Sequence, residues 1–257
     1  MSNKRLSMAL VTIAAMAVSA PAAAFVTYFV GASSSCSGSG LGGRTCTTSD
    51  ATVTANAHAF TGEPSNSVVE GAFLGVYSGG LGVTYQDSTN ETTSSPQHAL
   101  DNDNRFEFIR VDFGMKVALT AVTTGWVESD ADITLLAHNG GAGDTNPNGE
   151  NIAGLTTNGW SLVAHYNGTS ADSQTINVNS GGAVESRYWL IGAFDPDFGG
   201  AFNGADWSNT TPKKFDYLKV YAVKWDKPSK ASEPATLMLF GAGLLAWLSA
   251  RRRAARI

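Results

Sequence analysis

Cysteine is almost missing from this chain of 257 residues, which has only Cys36 and Cys46. Two thiols are fewer ligands than a zinc site takes, and the nearest histidine, His58, is twelve residues beyond Cys46. In an exported protein such a pair reads most economically as one local disulfide closing a small loop, with free thiols as the alternative. Histidine is scarce too. His58, His98, His138 and His165 stand singly, no H-E-x-x-H pair occurs, and no serine sits in a G-x-S-x-G elbow. Zinc-protease and α/β-hydrolase chemistry therefore have no motif to stand on. Positive charge is scarce between the ends: residues 25–232 carry 11 Lys and Arg against 21 Asp and Glu, a net charge of −10. That balance repels nucleic acid and anionic lipid and excludes both as partners of the body. Helical periodicity and repeats of fixed period are absent as well.

What is present follows the period of a strand. "FDYLKVYAVKW" sets Phe215, Tyr217, Tyr221, Val223 and Trp225 on one face and Leu218, Val220 and Ala222 on the other. "KVALTAVTTGW" sets Val117, Leu119 and Ala121 opposite Ala118, Thr120 and Val122. Both patterns suit pleated backbone, the first in a strand buried on both sides or nearly so. "VVEGAFLGVY", "FEFIRVDF", "DITLLAH", "WSLVAHY", "QTINV" and "RYWLIGAF" obey the same rule. In "FEFIRVDF" the apolar phase slips between Phe108 and Ile109, which requires a bulge or burial of both faces. Between the runs lie Gly-, Asn-, Asp- and Pro-rich turns such as "NGGAGDTNPNGEN" and "DPDFGGAFNGAD". The pattern predicts an all-β fold, an antiparallel β-sandwich or jelly-roll-like domain, flanked by an N-terminal signal helix and a C-terminal transmembrane sorting helix.

Candidate chemistry in the body is thin. Asp101 with Asp103, Asp130 with Asp132 and Asp195 with Asp197 offer carboxylate pairs of the kind a glycosidase needs across a cleft, but loop aspartates also arise as turn formers. A structural calcium held by two loops is the better functional reading of them, and no other cofactor is expected. "DNDNRFEF" is not an EF-hand, because Arg105 and Phe106 occupy its fifth and sixth positions, where a further ligand and the sharp-turn glycine belong. Trp126, Trp160, Trp189, Trp207 and Trp225, with Tyr77, Tyr166 and Tyr188, could stack on sugars. Most lie inside apolar runs as core filling, and Trp207, in "NGADWSN", is the one expected to be exposed.

The ends are more explicit. Lys4 and Arg5 precede an apolar run from about Met8 to Val18, and Ala22, Ala23 and Ala24 supply the small residues a signal peptidase accepts, so cleavage is expected before Phe25. At the other end, residues 232–257 read "SEPATLMLFGAGLLAWLSARRRAARI". The apolar run 235–250 is 16 residues long. As a helix it covers ~24 Å of a ~30 Å hydrocarbon layer, which is marginal for a lasting anchor. Arg251, Arg252, Arg253 and Arg256 form a basic stop that stays cytoplasmic. Glu233 and Pro234 are left just outside the membrane, within reach of a membrane-embedded enzyme.

This tail resembles the PEP-CTERM sorting signal of Gram-negative bacteria, in which a Pro-Glu-Pro motif precedes a glycine-containing apolar helix and an arginine cluster. Ser232 replaces the first proline, while Glu233, Pro234, Ala235 and Thr236 match. The resemblance implies recognition and processing by an exosortase, a membrane cysteine transpeptidase, with the inner membrane a transient partner and the cell surface or exopolysaccharide matrix of a biofilm the destination. The body is similar to exosortase-dependent surface proteins with an "HAxDN" segment followed by a "GW…D-x-D" turn. His98, Ala99, Asp101, Asn102, Gly125, Trp126, Asp130 and Asp132 match, which implies a shared extracellular β domain. The expected organisation is a signal peptide at 1–24, a loosely ordered Ser/Gly-rich segment with the cysteine pair at 25–66, a β-sandwich at 67–226, a linker at 227–231 and the sorting signal at 232–257. The expected role is a non-enzymatic exported surface or matrix protein. A carbohydrate-binding module and a polysaccharide hydrolase are the alternatives.

Overall fold

The apolar runs rich in Val, Ile, Thr and aromatic residues become strands, because branched and ring side chains pack well on a pleated surface. The computed structural model describes residues 24–30, 45–59, 68–84, 98–103, 105–141, 143, 145–208 and 211–228. Their strands are β1 (Ala24–Tyr28), β2 (Thr45–Thr47), β3 (Thr52–Ala59), β4 (Glu70–Gly71), β5 (Phe73–Tyr77), β6 (Gly80–Thr84), β7 (Leu100–Asp101), β8 (Arg105–Glu128), β9 (Ile133–His138), β10 (Trp160–Tyr166), β11 (Thr175–Asn177), β12 (Ser186–Ala193) and β13 (Tyr217–Asp226). A single short helix, α1 (Ile152–Thr157), and two 3-10 turns complete the described elements. All strand pairings are antiparallel.

Strand β8 joins two sets of strands. Residues Arg105 to Asp112 pair with β3, residues Phe108 to Val117 pair with β12, and β12 continues through β9 to β10. Residues Ala118 to Glu128 pair instead with β13, which also pairs with β1, β6 and β7, while β11 lies along the other edge of β8. The bend falls where Gly114 takes a φ of +67° and donates its N–H to Asp112 Oδ1 at 2.7 Å, a turn a side-chain-bearing residue would resist. "FEFIRVDF" and "KVALTAVTTGW", which read as two strands, are thus one strand bent at a glycine.

Alternate residues of the two sets meet in one core. Val53, Ile109, Val111, Leu135, Trp189 and Ile191 come from the first set, and Leu119, Val122, Leu218, Val220, Val223 and Trp225 from the second. On the other side of the first set Phe108, Leu136 and Leu190 pack with Val69, Leu155 and Trp160 in a smaller cluster. The phase slip in "FEFIRVDF" is therefore burial of both faces: the pairing of β3 with Arg105–Asp112 runs without a bulge. In β13 the outcome is the reverse. Leu218 and Val220 share the core with Val223 and Trp225 because the register shifts between Val220 and Ala222, so the two faces expected from simple alternation exchange there.

The segment 25–66, expected to be loosely ordered, contributes β1, β2 and β3 where it is described, and the compact unit spans Ala23–Pro228. Its Ser/Gly composition hid "TVTA", whose Val53 and Ala55 alternate into the core. The signal helix before Ala24 and the sorting helix lie outside the described residues. Among the described residues no helix is long and apolar enough to cross a membrane.

Candidate functional site

The signature residues of the body gather at two places. The first is a buried polar hub. Asn102, on the turn after β7, donates its Nδ2 to Phe194 O at 2.9 Å and to Asp216 Oδ2 at 2.6 Å, and its Oδ1 accepts the N–H of Asp216 at 2.8 Å. Asp216 Oδ1 accepts the N–H of Asp132 at 2.9 Å. Asp132 in turn accepts the N–H of Gly168 on one oxygen and that of Asp206 on the other, both at 2.8 Å. The carbonyl of Asn102 accepts the indole N–H of Trp207 at 3.1 Å. One asparagine and two aspartates thus tie together six stretches of chain, around residues 102, 132, 168, 194, 206 and 216, and Asn102, Asp132 and Asp216 are all buried.

Burial sets the electrostatics of this hub. The Asp132 carboxyl is pushed up to about 6, and that of Asp216 is pushed well above the ordinary carboxylate range by burial and then by the nearby Asp132 charge. Backbone N–H donors oppose both shifts without cancelling them. Beside the hub opens a cleft of ≈ 600 Å³ whose wall includes Glu128, Asp130, Asp206, Lys214 and Tyr217. Asp130, Asp132 and Asp206 bring carboxylate oxygens within 4.8 Å of one another, the only such metal-competent group among the described residues. Several of its oxygens already have partners. Asp132 holds two backbone N–H groups, Asp130 Oδ1 accepts the N–H of Ala131, and Asp206 pairs with the Lys214 ammonium. A hard cation bound there would share Asp206 with the Lys214 ammonium.

The second place lies on the side of β13 away from the core. Lys219 sets its ammonium 4.8 Å from the Tyr77 ring centroid and 4.2 Å from that of Trp126, and burial lowers its pKa. His98 stacks on Tyr77 at 5.9 Å, and its Nδ1 lies 2.6 Å from Thr84 Oγ1. Gly125 is required here, since a Cβ at this position would meet Gly79 O at 2.2 Å. Asp206, Lys214 and Asp216 were not singled out by the sequence; a lone aspartate opening the apolar run of β13 was the only sign of the last.

The remaining candidates are structural where they are described. Asp101 Oδ1 accepts the N–H of Asp103, and Asp195 Oδ1 that of Asp197, each two residues on, as turn-forming aspartates do. His165 lies between Thr134 Oγ1 at 2.8 Å and Gly199 O at 2.7 Å, and burial lowers its pKa. The Nε2–H tautomer satisfies both partners. His138 donates Nε2–H to Asn158 O and accepts the N–H of Gly140. The His58 side chain lies outside the described residues. Trp160, Trp189 and Trp225 are core. Trp207, expected to be exposed, is half-buried against Phe106 with its N–H bonded, because its loop folds onto the hub. Cys46 is buried in β2 and is not a free thiol, while Cys36 lies outside the described residues.

The body, then, is held by its signature residues, and the class of the protein is written in its tail. Residues 231–253 match the family model described as the PEP-CTERM protein-sorting motif. The chain carries a PEP-CTERM sorting signal. It is accordingly an exported protein, sent through the inner membrane to the cell surface or extracellular space and recognised by an exosortase. The PEP-CTERM match takes in Ser232, Glu233, Pro234, Ala235, Thr236, Arg251, Arg252 and Arg253. These residues, with Arg256, Ala22 and Cys36, lie outside the described residues, whereas Ala24 and Phe25 open β1. No curated protein matches the chain.

Proposed function

We propose that the protein is a non-enzymatic β module of the cell surface or exopolysaccharide matrix, held briefly in the inner membrane by its tail helix and cut by the exosortase near Glu233 and Pro234. The PEP-CTERM match over residues 231–253 carries this reading. The body supports it, because the buried polar groups of the hub are engaged in tying loops together. In the cleft Asp216 is sealed from solvent and Asp206 is paired with Lys214, so neither of these two is the free carboxyl group that a hydrolase brings to its substrate. The Cys36–Cys46 disulfide belongs to the same reading, supported by the buried state of Cys46. Structural calcium is the lesser proposal, since Lys214 already supplies the cation beside Asp206.

Carbohydrate binding is kept as a second reading on one observation. Tyr28 is 49 % exposed, packs edge-on against Tyr221 at 5.9 Å, and shares with half-buried Trp126 and Tyr77 the side of β13 away from the core. Intact mass measurement of surface-extracted protein tests the main reading. The expected chain begins at Phe25 and lacks everything beyond about Pro234. Recovery of the full chain ending in Ile257 would make the tail an ordinary anchor.

A further inference from the structure

The two predicted cut sites, before Phe25 and near Glu233, are 208 positions apart in sequence, yet the strands beside them are neighbours in the fold. β1 begins at Ala24 and runs antiparallel to β13, with Ala24 opposite Asp226, Phe25 opposite Trp225 and Tyr28 opposite Ala222. The pairing is closed by side chains at its open end. The Phe25 ring stacks on Trp225 at 4.6 Å, the Lys227 ammonium lies 4.7 Å from the Phe25 centroid, and the Trp225 indole N–H reaches Thr27 Oγ1 at 2.8 Å. Thr27 and Phe29 are buried.

The geometry points to a clasp that orders processing: the N-terminal cut before Phe25 is made on the still unfolded chain, and docking of β1 on β13 afterwards closes that bond to the peptidase. A peptidase takes its substrate as an extended segment. The residues after the cut already lie extended in a ladder, with the Phe25 ring pinned between Trp225 and Lys227, and cannot enter an enzyme cleft without leaving it. Among the described residues β1 pairs with no strand but β13. Trp225 follows Thr27 by 198 residues. At roughly 5–20 residues per second of synthesis, β1 waits on the order of 10 s or longer for its partner. The peptidase has that interval; then β13 arrives and the bond is covered.

The same register governs the other end. β13 is the last strand before the tail, and Lys227 is held on the Phe25 ring, so residues 228–232 are all that separates the docked body from Glu233. At ~3.3–3.6 Å per residue this tether reaches about 17 Å. The exosortase therefore meets its motif beside a finished domain whose N-terminus has already been freed. This inference rests on the proposed export and processing at both ends.

The test uses the full chain in cells in which signal peptidase is reversibly inhibited until the body has folded, after which the inhibitor is removed. Folded precursor is expected to stay uncut at least tenfold longer than chains made after removal. Trp225→Ala, which loosens the clasp, restores late cutting. Thr27→Val removes the acceptor of the indole N–H, together with the hydroxyl's own bond to Asp50 Oδ2 at 3.4 Å, and restores it in part, guarding against a Trp225→Ala chain that fails to fold. Cutting of folded wild-type precursor as fast as new chains would overturn the clasp while leaving export and tail processing intact. Chains never cut at the N-terminus, even when newly made, would overturn the export reading and the clasp with it.

Discussion

Asn102 bonds to Phe194, Asp216 and Trp207 from one position, and its value lies in the donors and acceptors that would be stranded without it. A buried polar group left unpaired costs about 1–3 kcal/mol, and Asn102→Ala strands several at once. Unfolding in urea is expected to show a loss of ~3 kcal/mol or more. Asp130→Ala, which removes a half-buried carboxylate bonded to its neighbouring N–H, should cost about 1 kcal/mol or less. Equal losses would mean the hub is not the hinge of the fold. The hub also sets a pH dependence. Asp132 titrates at about 6 in the folded protein, above its value in the unfolded chain, so the folded state binds its proton more tightly. The stability from this group is fully present below about pH 4, the ordinary aspartate value, and is lost as pH rises through 6. Asp216 shifts in the same direction. Urea midpoints of the body should fall between pH 5 and pH 7, and Asp132→Asn should flatten that slope. A calcium chelator should leave the midpoint at pH 7 unchanged; a clear drop would assign an ion to Asp130, Asp132 and Asp206.

Among the elements, β8 carries the most information because it belongs to both sets of strands. Phe108 and Ile109 are adjacent and point to opposite faces, and both are buried in different clusters. Phe108→Ala and Ile109→Ala should therefore each cost about 3 kcal/mol, where a strand with one wet face would tolerate one of them. The phase slip was legible in the sequence; the choice between a bulge and two covered faces was not, since it depends on Val69, just before β4, and Leu155 of α1 packing over Phe108. The opposite error in β13 has the same source. Alternation cannot reveal a register shift, which is imposed by pairing with β8. Gly125 shows the limit at its plainest: the sequence offered it as part of a motif, and only the approach of Gly79 O says why no side chain is admitted. Gly125→Ala should lower the unfolding midpoint and disturb the Trp126 fluorescence.

At the scale of the whole molecule the tail and the body answer to different physics. The arginines at 251, 252 and 253 each cost roughly 2.5–3.5 kcal/mol to pull to the bilayer centre, which stops export at the last moment. Replacing all three with alanine should spill unprocessed protein through the membrane, whereas changing Glu233 and Pro234 should leave it uncut in the inner membrane. Fractionation with intact mass reads both outcomes. Mass spectrometry of unreduced peptides should find Cys36 joined to Cys46, and two alkylatable thiols in freshly exported protein would remove that pair from the account.

The address at the C-terminus was legible in the sequence by itself because it is read as a linear order of motif, apolar run and basic stop, with no folded partner required. The all-β class was legible for a related reason: alternation with period two is local to each strand. The fate of the aspartates, the burial of Trp207 and the marriage of the first strand to the last were decided only by tertiary structure. Those contacts join residues as far apart as Asn102 and Asp216, 114 positions, or Thr27 and Trp225, 198 positions. No local pattern encodes such a meeting, because each partner finds its place through the register of the strands between them.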